Sequence, residues 1–171
     1  MNPPRRAGPA PRRGGAPAIR LIGVGNEFRA DDGVGLSIVR ALQRHALSGV
    51  ATRETTGDGA DLLEAWRGAQ AVFLFDAVRS GAPPGTVHRW DAGQGPLPAR
   101  AFRHSTHALG VADAIELARA LGELPPRVVV YGVEAAKFGP GCGLSPVVAR
   151  AEAEVVARVL EDLRPRGGTQ P

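Results

Sequence analysis

A single cysteine, Cys142, occurs in the 171 residues. That excludes an internal disulfide and a cysteine-built metal knot. It also suits a reducing compartment, so a cytoplasmic location is expected. Aromatic residues make up only 5% of the chain, so the core must be built from Ala, Val and Leu, as in an α/β domain. No apolar run is long enough to cross a bilayer, and the N-terminal residues lack the apolar centre of a signal peptide, so no membrane partner is expected. Residues 1–17 contain no Asp or Glu but carry Arg5, Arg6, Arg12 and Arg13. These arginines account for the whole net charge of +4 and leave residues 14–171 neutral. The basicity therefore belongs to an Arg/Pro/Gly-rich leader rather than to a face of the fold, and no nucleic-acid partner is expected.

What remains is enough for one globular domain with a full core. Residues 1–17 are expected to be disordered, having little apolar surface to bury, residues 18–164 to form the domain, and residues 165–171 to fray. The organising stretch is Leu21-Ile22-Gly23-Val24-Gly25-Asn26-Glu27-Phe28-Arg29-Ala30-Asp31-Asp32-Gly33-Val34-Gly35. An apolar strand over residues 18–25 ends in two glycines. A polar loop and two aspartates follow, and a helix over residues 33–46 buries Gly35, Ile38, Val39 and Leu42. Gly23 and Gly25 allow unusual backbone angles and close approach. A dinucleotide fingerprint is excluded, because Phe28 stands where its third glycine would be and the aspartates would repel a pyrophosphate.

Further along, residues 50–56 read as a second strand and residues up to Gly68 as a short helix marked by Leu62, Leu63 and Trp66. Ala71 to Asp76 is continuously apolar, as a central strand covered on both faces would be, and ends at Asp76. Thr86 to Trp90 alternates like an edge strand, and residues 91–103 form an irregular loop. A third helix with Ala108, Val111, Ala112, Ile115 and Leu121 on its buried face stops at Gly122. Residues 127–134 form another buried strand. Ser145-Pro146 caps a last helix running to Leu163, with Val148, Ala151, Val155 and Val159 inward. Alternating strands and helices predict a three-layer α/β/α domain around a mostly parallel sheet.

The candidate chemistry lies at strand ends, where such sheets bind ligands. Asp31 and Asp32 have a plainer role as helix caps, Asp76 as an acceptor for loop amides, and His107 or His104 as a helix-start residue. Taken together, Asp32, Asp76 and His107 fall along one sheet edge. Two carboxylates and an imidazole suit a divalent transition metal, and three protein ligands leave positions open for substrate. Ser105 lacks a nucleophile elbow, and Cys142 sits in a tolerant glycine-rich loop.

From Ile19 to about Leu163 the chain resembles the hydrogenase maturation endopeptidases. The resemblance rests on Gly23-x-Gly25-Asn26-(x)4-Asp31-Asp32-Gly33-x-Gly35, on Phe75-Asp76-Ala77, on Ser105-Thr106-His107-Ala108-Leu109-Gly110, and on Val133-Glu134 with Gly143-Leu144-Ser145-Pro146. It implies a twisted five-stranded sheet between helices and a peptidase that works as a monomer. The implied substrate is the nickel-loaded precursor of a [NiFe]-hydrogenase large subunit, from which a C-terminal peptide is removed. It also implies that Asp32, Asp76 and His107 meet nickel carried by that substrate. Asp32 stands where some members have glutamate, and Asp31 is the adjacent alternative. A non-catalytic nickel-dependent checkpoint is the rival function.

Overall fold

Five strands form one sheet: β1 (Ile19–Val24), β2 (Val50–Thr55), β3 (Ala71–Val78), β4 (Val87–Asp91) and β5 (Arg127–Glu134), in the spatial order β2-β1-β3-β5-β4. The structure is a computed structural model that describes residues 18–102 and 109–164. The leader, the residues after 164, and His104, Ser105, Thr106 and His107 lie outside the described residues. β1, β2, β3 and β5 run parallel, and β4 closes one edge antiparallel to β5. β3 is central as expected, since a strand without alternation must bury both of its faces.

Two core layers result. On one face Ile22, Val72, Leu74 and Val130 pack against residues of α2 (Gly59–Trp66) and α3 (Val111–Leu121). On the other, Leu21, Phe73, Phe75 and Val129 meet α1 (Val34–Gln43) and α4 (Pro146–Asp162). Phe73 and Phe75 are fully buried. Each such ring contributes about 2–3 kcal/mol by leaving water, so β3 anchors the stack.

The start of α1 sits directly on strand backbone. A Cβ at Gly35 would lie 2.2 Å from the carbonyl oxygens of both Phe75 and Val24, and one at Gly23 would lie 2.4 Å from Gly35 O. Gly25, at φ +143°, would place a Cβ 1.8 Å from Asp32 O. Only hydrogen fits at these points. The close helix–strand contact that a dinucleotide fingerprint obtains from its third glycine is made here by Gly23 and Gly35. Phe28 is left 67% exposed.

Several expectations need correction. Neither aspartate caps α1. Asp31 and Asp32 lie in a 3-10 turn (Asp31–Gly33) that runs into the helix, and neither the turn nor α1 has a side-chain cap. Asp76 does not end its strand, because pairing with β5 continues to Val78↔Glu134. α1 ends at Gln43, before Ala46 with its φ of 47°. Ser145 precedes α4 as its N-cap residue, but its hydroxyl turns elsewhere. Leu121 is 58% exposed, since the buried face of α3 closes at Ala118. Within residues 91–103, expected to be irregular, Ala99–Phe102 forms a 3-10 turn. Gly122 takes the left-handed C-cap of α3 at φ 70° as expected.

Gly35→Ala sets a helix-propensity gain of about 1 kcal/mol against an overpacking cost of about 3 kcal/mol or more. The clash wins. Urea unfolding of the variant is expected to show a net loss of at least 2 kcal/mol, approximately, by the same comparison.

Candidate active site

The carboxyl ends of β1, β3 and β5 meet at one edge, and the loops leaving them carry the polar residues. The two adjacent aspartates have different surroundings. Asp31 is fully buried. Its Oδ2 accepts hydrogen bonds from Ala136 N–H at 2.9 Å, Lys137 N–H at 2.8 Å and the Ser145 hydroxyl at 2.9 Å, and its Oδ1 accepts from Ser145 N–H at 2.6 Å. The backbone adds Asp31 N–H to Lys137 O and Ala30 N–H to Gly141 O. Asp31 therefore ties the β1–α1 loop to the β5–α4 loop, which is a structural task. The strain is local: Ala30 is held at φ 54°, ψ −121°, a conformation L-residues rarely adopt.

Asp32 donates its backbone N–H to Arg29 O. It is 8% exposed, and Asp76 is 6% exposed. Asp76 shares the sheet face of Leu74 and Val78, the face covered by α2 and α3. Its carboxyl is pushed well above the ordinary value, chiefly by burial and then by the nearby negative charge of Asp32; a hydrogen bond from the Ala77 backbone opposes this and is outweighed. Two carboxylates in one desolvated place favour a proton or a metal cation between them.

His107 lies outside the described residues, so its relation to the pair is not described. The chain on either side belongs to the same face. Phe102 is buried in the core layer of α2 and α3, and Leu109 lies so close to Gly59 that a Cβ there would fall 2.2 Å from its side chain. Among the described residues no group of three His, Cys, Asp or Glu could hold a metal ion.

A family model described as hydrogenase maturation protease matches residues 37–162. The chain belongs to the hydrogenase maturation protease family. It is 33% identical over 150 residues to the hydrogenase expression/formation protein HupD of Thiocapsa roseopersicina, covering 86% of this chain and 68% of that one. It is 31% identical over 160 residues to the hydrogenase 2 maturation protease of Escherichia coli, covering 87% and 92%. Among solved structures, an endopeptidase from Escherichia coli superposes with a TM-score of 0.75 at 29% identity, covering 87% of this chain and 93% of that one. The hydrogenase maturating endopeptidase HybD from E. coli gives 0.70 at 26% identity with the same coverages. The chain is thus a peptidase on an α/β fold, and no helix among the described residues is long and apolar enough to cross a membrane.

Seen as a protease site, the edge offers room for a peptide. A hollow of about 390 Å³ runs over Gly25, Asn26, Phe28, Thr55 and Thr56. A second, of about 190 Å³, lies on the other side of Phe28 against Gly33, Cys142 and Leu144. Cys142 is exposed and unbonded to sulfur. Glu134, at the end of β5, was noticed in the sequence only as part of the resemblance; the structure shows it as a loop anchor. Burial opposes its ionisation, but hydrogen bonds from Ser80 N–H, the Ser80 hydroxyl, Gly81 N–H and His88 prevail and hold the carboxyl below its usual range. The loop that follows Asp76 is fixed in this way. No sequence pattern flags it, because Ser80, His88 and Glu134 come together only through the β3–β5–β4 pairing.

The two buried carboxyls predict opposite stability effects. Asp31→Asn leaves amide donors facing an NH2 group, and an unsatisfied buried donor costs roughly 1–3 kcal/mol. A clear fall in melting temperature is expected. Asp76 is protonated more readily when folded than when unfolded. Its contribution to stability is full below the ordinary carboxylate value and is lost as pH rises through the raised folded value. Asp76→Asn carries no charge at any pH. Its melting temperature is therefore expected to match or exceed wild type at pH 8, with the advantage shrinking towards pH 4. Thermal melts across that range check both variants, and a large loss at pH 8 for Asp76→Asn would contradict the assignment.

Proposed function

We propose that this peptidase removes a C-terminal peptide from the nickel-loaded precursor of a [NiFe]-hydrogenase large subunit. The observation that carries the proposal is the placement of Asp32 and Asp76 at the carboxyl edge of the sheet, both nearly buried, with the Asp32 charge adding to burial in raising the Asp76 carboxyl. Asp31, one residue away, holds the loops together. Two desolvated carboxyls in one place are the feature expected where a cation must be met.

In this mechanism nickel arrives with the substrate. Asp32, Asp76 and His107 add two oxygens and one nitrogen to its coordination, a mixed set suited to a divalent transition metal. A precursor without nickel cannot make these contacts, so metal occupancy gates docking. Docking lays the segment to be cut along the hollows beside Phe28. There a carboxylate freed of its proton serves as general base for the attacking water, and the electropositive metal centre polarises the scissile carbonyl. The enzyme acts as a monomer in the cytoplasm.

Intact-mass spectrometry of the precursor tests the scheme. A defined C-terminal mass loss is expected only with nickel present and the wild-type enzyme. Asp32→Ala, Asp76→Ala and His107→Ala are each expected to lower the rate at least a hundredfold, approximately, as for loss of a group acting in the transition state. Nickel-dependent binding without mass loss would instead favour a non-catalytic checkpoint, and normal processing by Asp76→Ala would remove that residue from the site.

A further inference from the structure

The carboxyl edge of the sheet carries cations that have no ion pair among the described residues. Arg40, Arg53, Arg89, Arg119, Arg127 and Arg158 each sit in an ion pair. Arg29, Arg79, Arg100 and Lys137 have no ion pair among the described residues, and the remaining residues contain no Asp or Glu that could supply one. Arg79, Arg100 and Lys137 are exposed and Arg29 is half-buried.

These four are neighbours through fixed backbone. Arg29 O accepts from Asp32 N–H, and Ala30 bridges Phe138. Lys137 gives both its amide and its carbonyl to Asp31. The Arg79 guanidinium lies 4.9 Å from the centre of the Phe138 ring, and Arg79 N–H donates to Ala101 O, beside Arg100. The acids of the same edge are engaged elsewhere. Glu27 and Glu54 hold Arg40, Asp31 is saturated by amides, and Glu134 is buried under Ser80 and His88. Asp32 and Asp76 thus share this edge with four cations that have no ion pair among the described residues.

We propose that these cations, Arg29, Arg79, Arg100 and Lys137, form a rim that docks an acidic protein surface surrounding the metal of the substrate. The inference rests on the peptidase function proposed above. A partner that presents a cation within an acidic surround is complementary to both parts of the edge. Exposed charges of this kind raise the rate of encounter and set orientation, and they weaken as salt screens them.

The test uses the full-length enzyme and nickel-loaded precursor, reading Kd by fluorescence anisotropy and KM and kcat by cleavage at several salt concentrations. Replacing all four rim residues with Gln is expected to raise Kd and KM about tenfold at low salt. It should leave kcat unchanged and flatten the dependence of kcat/KM on salt. Arg44→Gln/Arg164→Gln removes two further cations that have no ion pair among the described residues and that follow the C-terminal ends of α1 and α4, and is expected to behave as wild type. Arg79→Gln/Lys137→Gln, with about half the effect, serves if the fourfold variant melts early. An unchanged Kd and salt slope would overturn the proposal. So would an equal effect of the control pair, or tighter rim-dependent binding of a DNA duplex than of the precursor. If the wild type binds but does not cut, the peptidase mechanism falls while the Kd comparison still decides the rim.

Discussion

The contact of glycine on backbone between β1, β3 and the start of α1 is the constraint on which the site depends. Gly35 brings the helix to within hydrogen-atom distance of Val24 and Phe75, and Gly23 receives it from the strand side. A methyl group at either position would lift the helix, and the 3-10 turn with it, by an ångström or more. Asp32 belongs to that turn and Asp76 to the strand beneath it. Their mutual charge effect requires the helix to be seated. Backbone close approach thus seats the turn that carries Asp32 over the end of β3.

Seating the helix would not be enough without a second strut. The β5–α4 loop donates its amides and the Ser145 hydroxyl to Asp31. Glu134 holds the loop after β3 from the next strand along. Three loops at one edge are thus cross-linked by two buried carboxylates that are fully hydrogen-bonded. Hydrogen bonds outweigh burial at Glu134 and hold its carboxyl below the usual range, whereas burial and then the Asp32 charge push the Asp76 carboxyl above it.

Much of the architecture is legible in the sequence because it follows from periodicity. The unbroken apolar run of β3, the alternation of β4 and the inward spacing of α1 and α4 each follow from which faces must be buried. The family motifs pointed to Asp32 and Asp76, and the fold places both at one edge. The division of labour between Asp31 and Asp32 could not be read, since neighbouring identical residues carry no sign of which way each will turn. That depended on amides more than a hundred residues away. Capping was misassigned for the same reason: an acid before a helix looks like a cap until a distant donor claims it. The end of β3 was placed two residues early because a carboxylate in a strand is costly. The cost is tolerated here, with Val78 still paired to Glu134.

That tolerated cost also explains why the catalytic edge is built so rigidly. Two desolvated carboxylates would relieve their repulsion by moving apart if the loops allowed it, since surface exposure restores the ordinary carboxylate range. Gly35 and Gly23 hold one side and Glu134 holds the loop beyond Asp76, so separation would require breaking buried backbone hydrogen bonds or unpacking Phe75. With separation opposed, burial and the Asp32 charge push the Asp76 carboxyl well above its ordinary value. Under the function proposed above, a doubly charged cation would compensate both carboxylates where a proton neutralises one. The rigidity of the edge and the raised Asp76 carboxyl are thus consequences of the same packing.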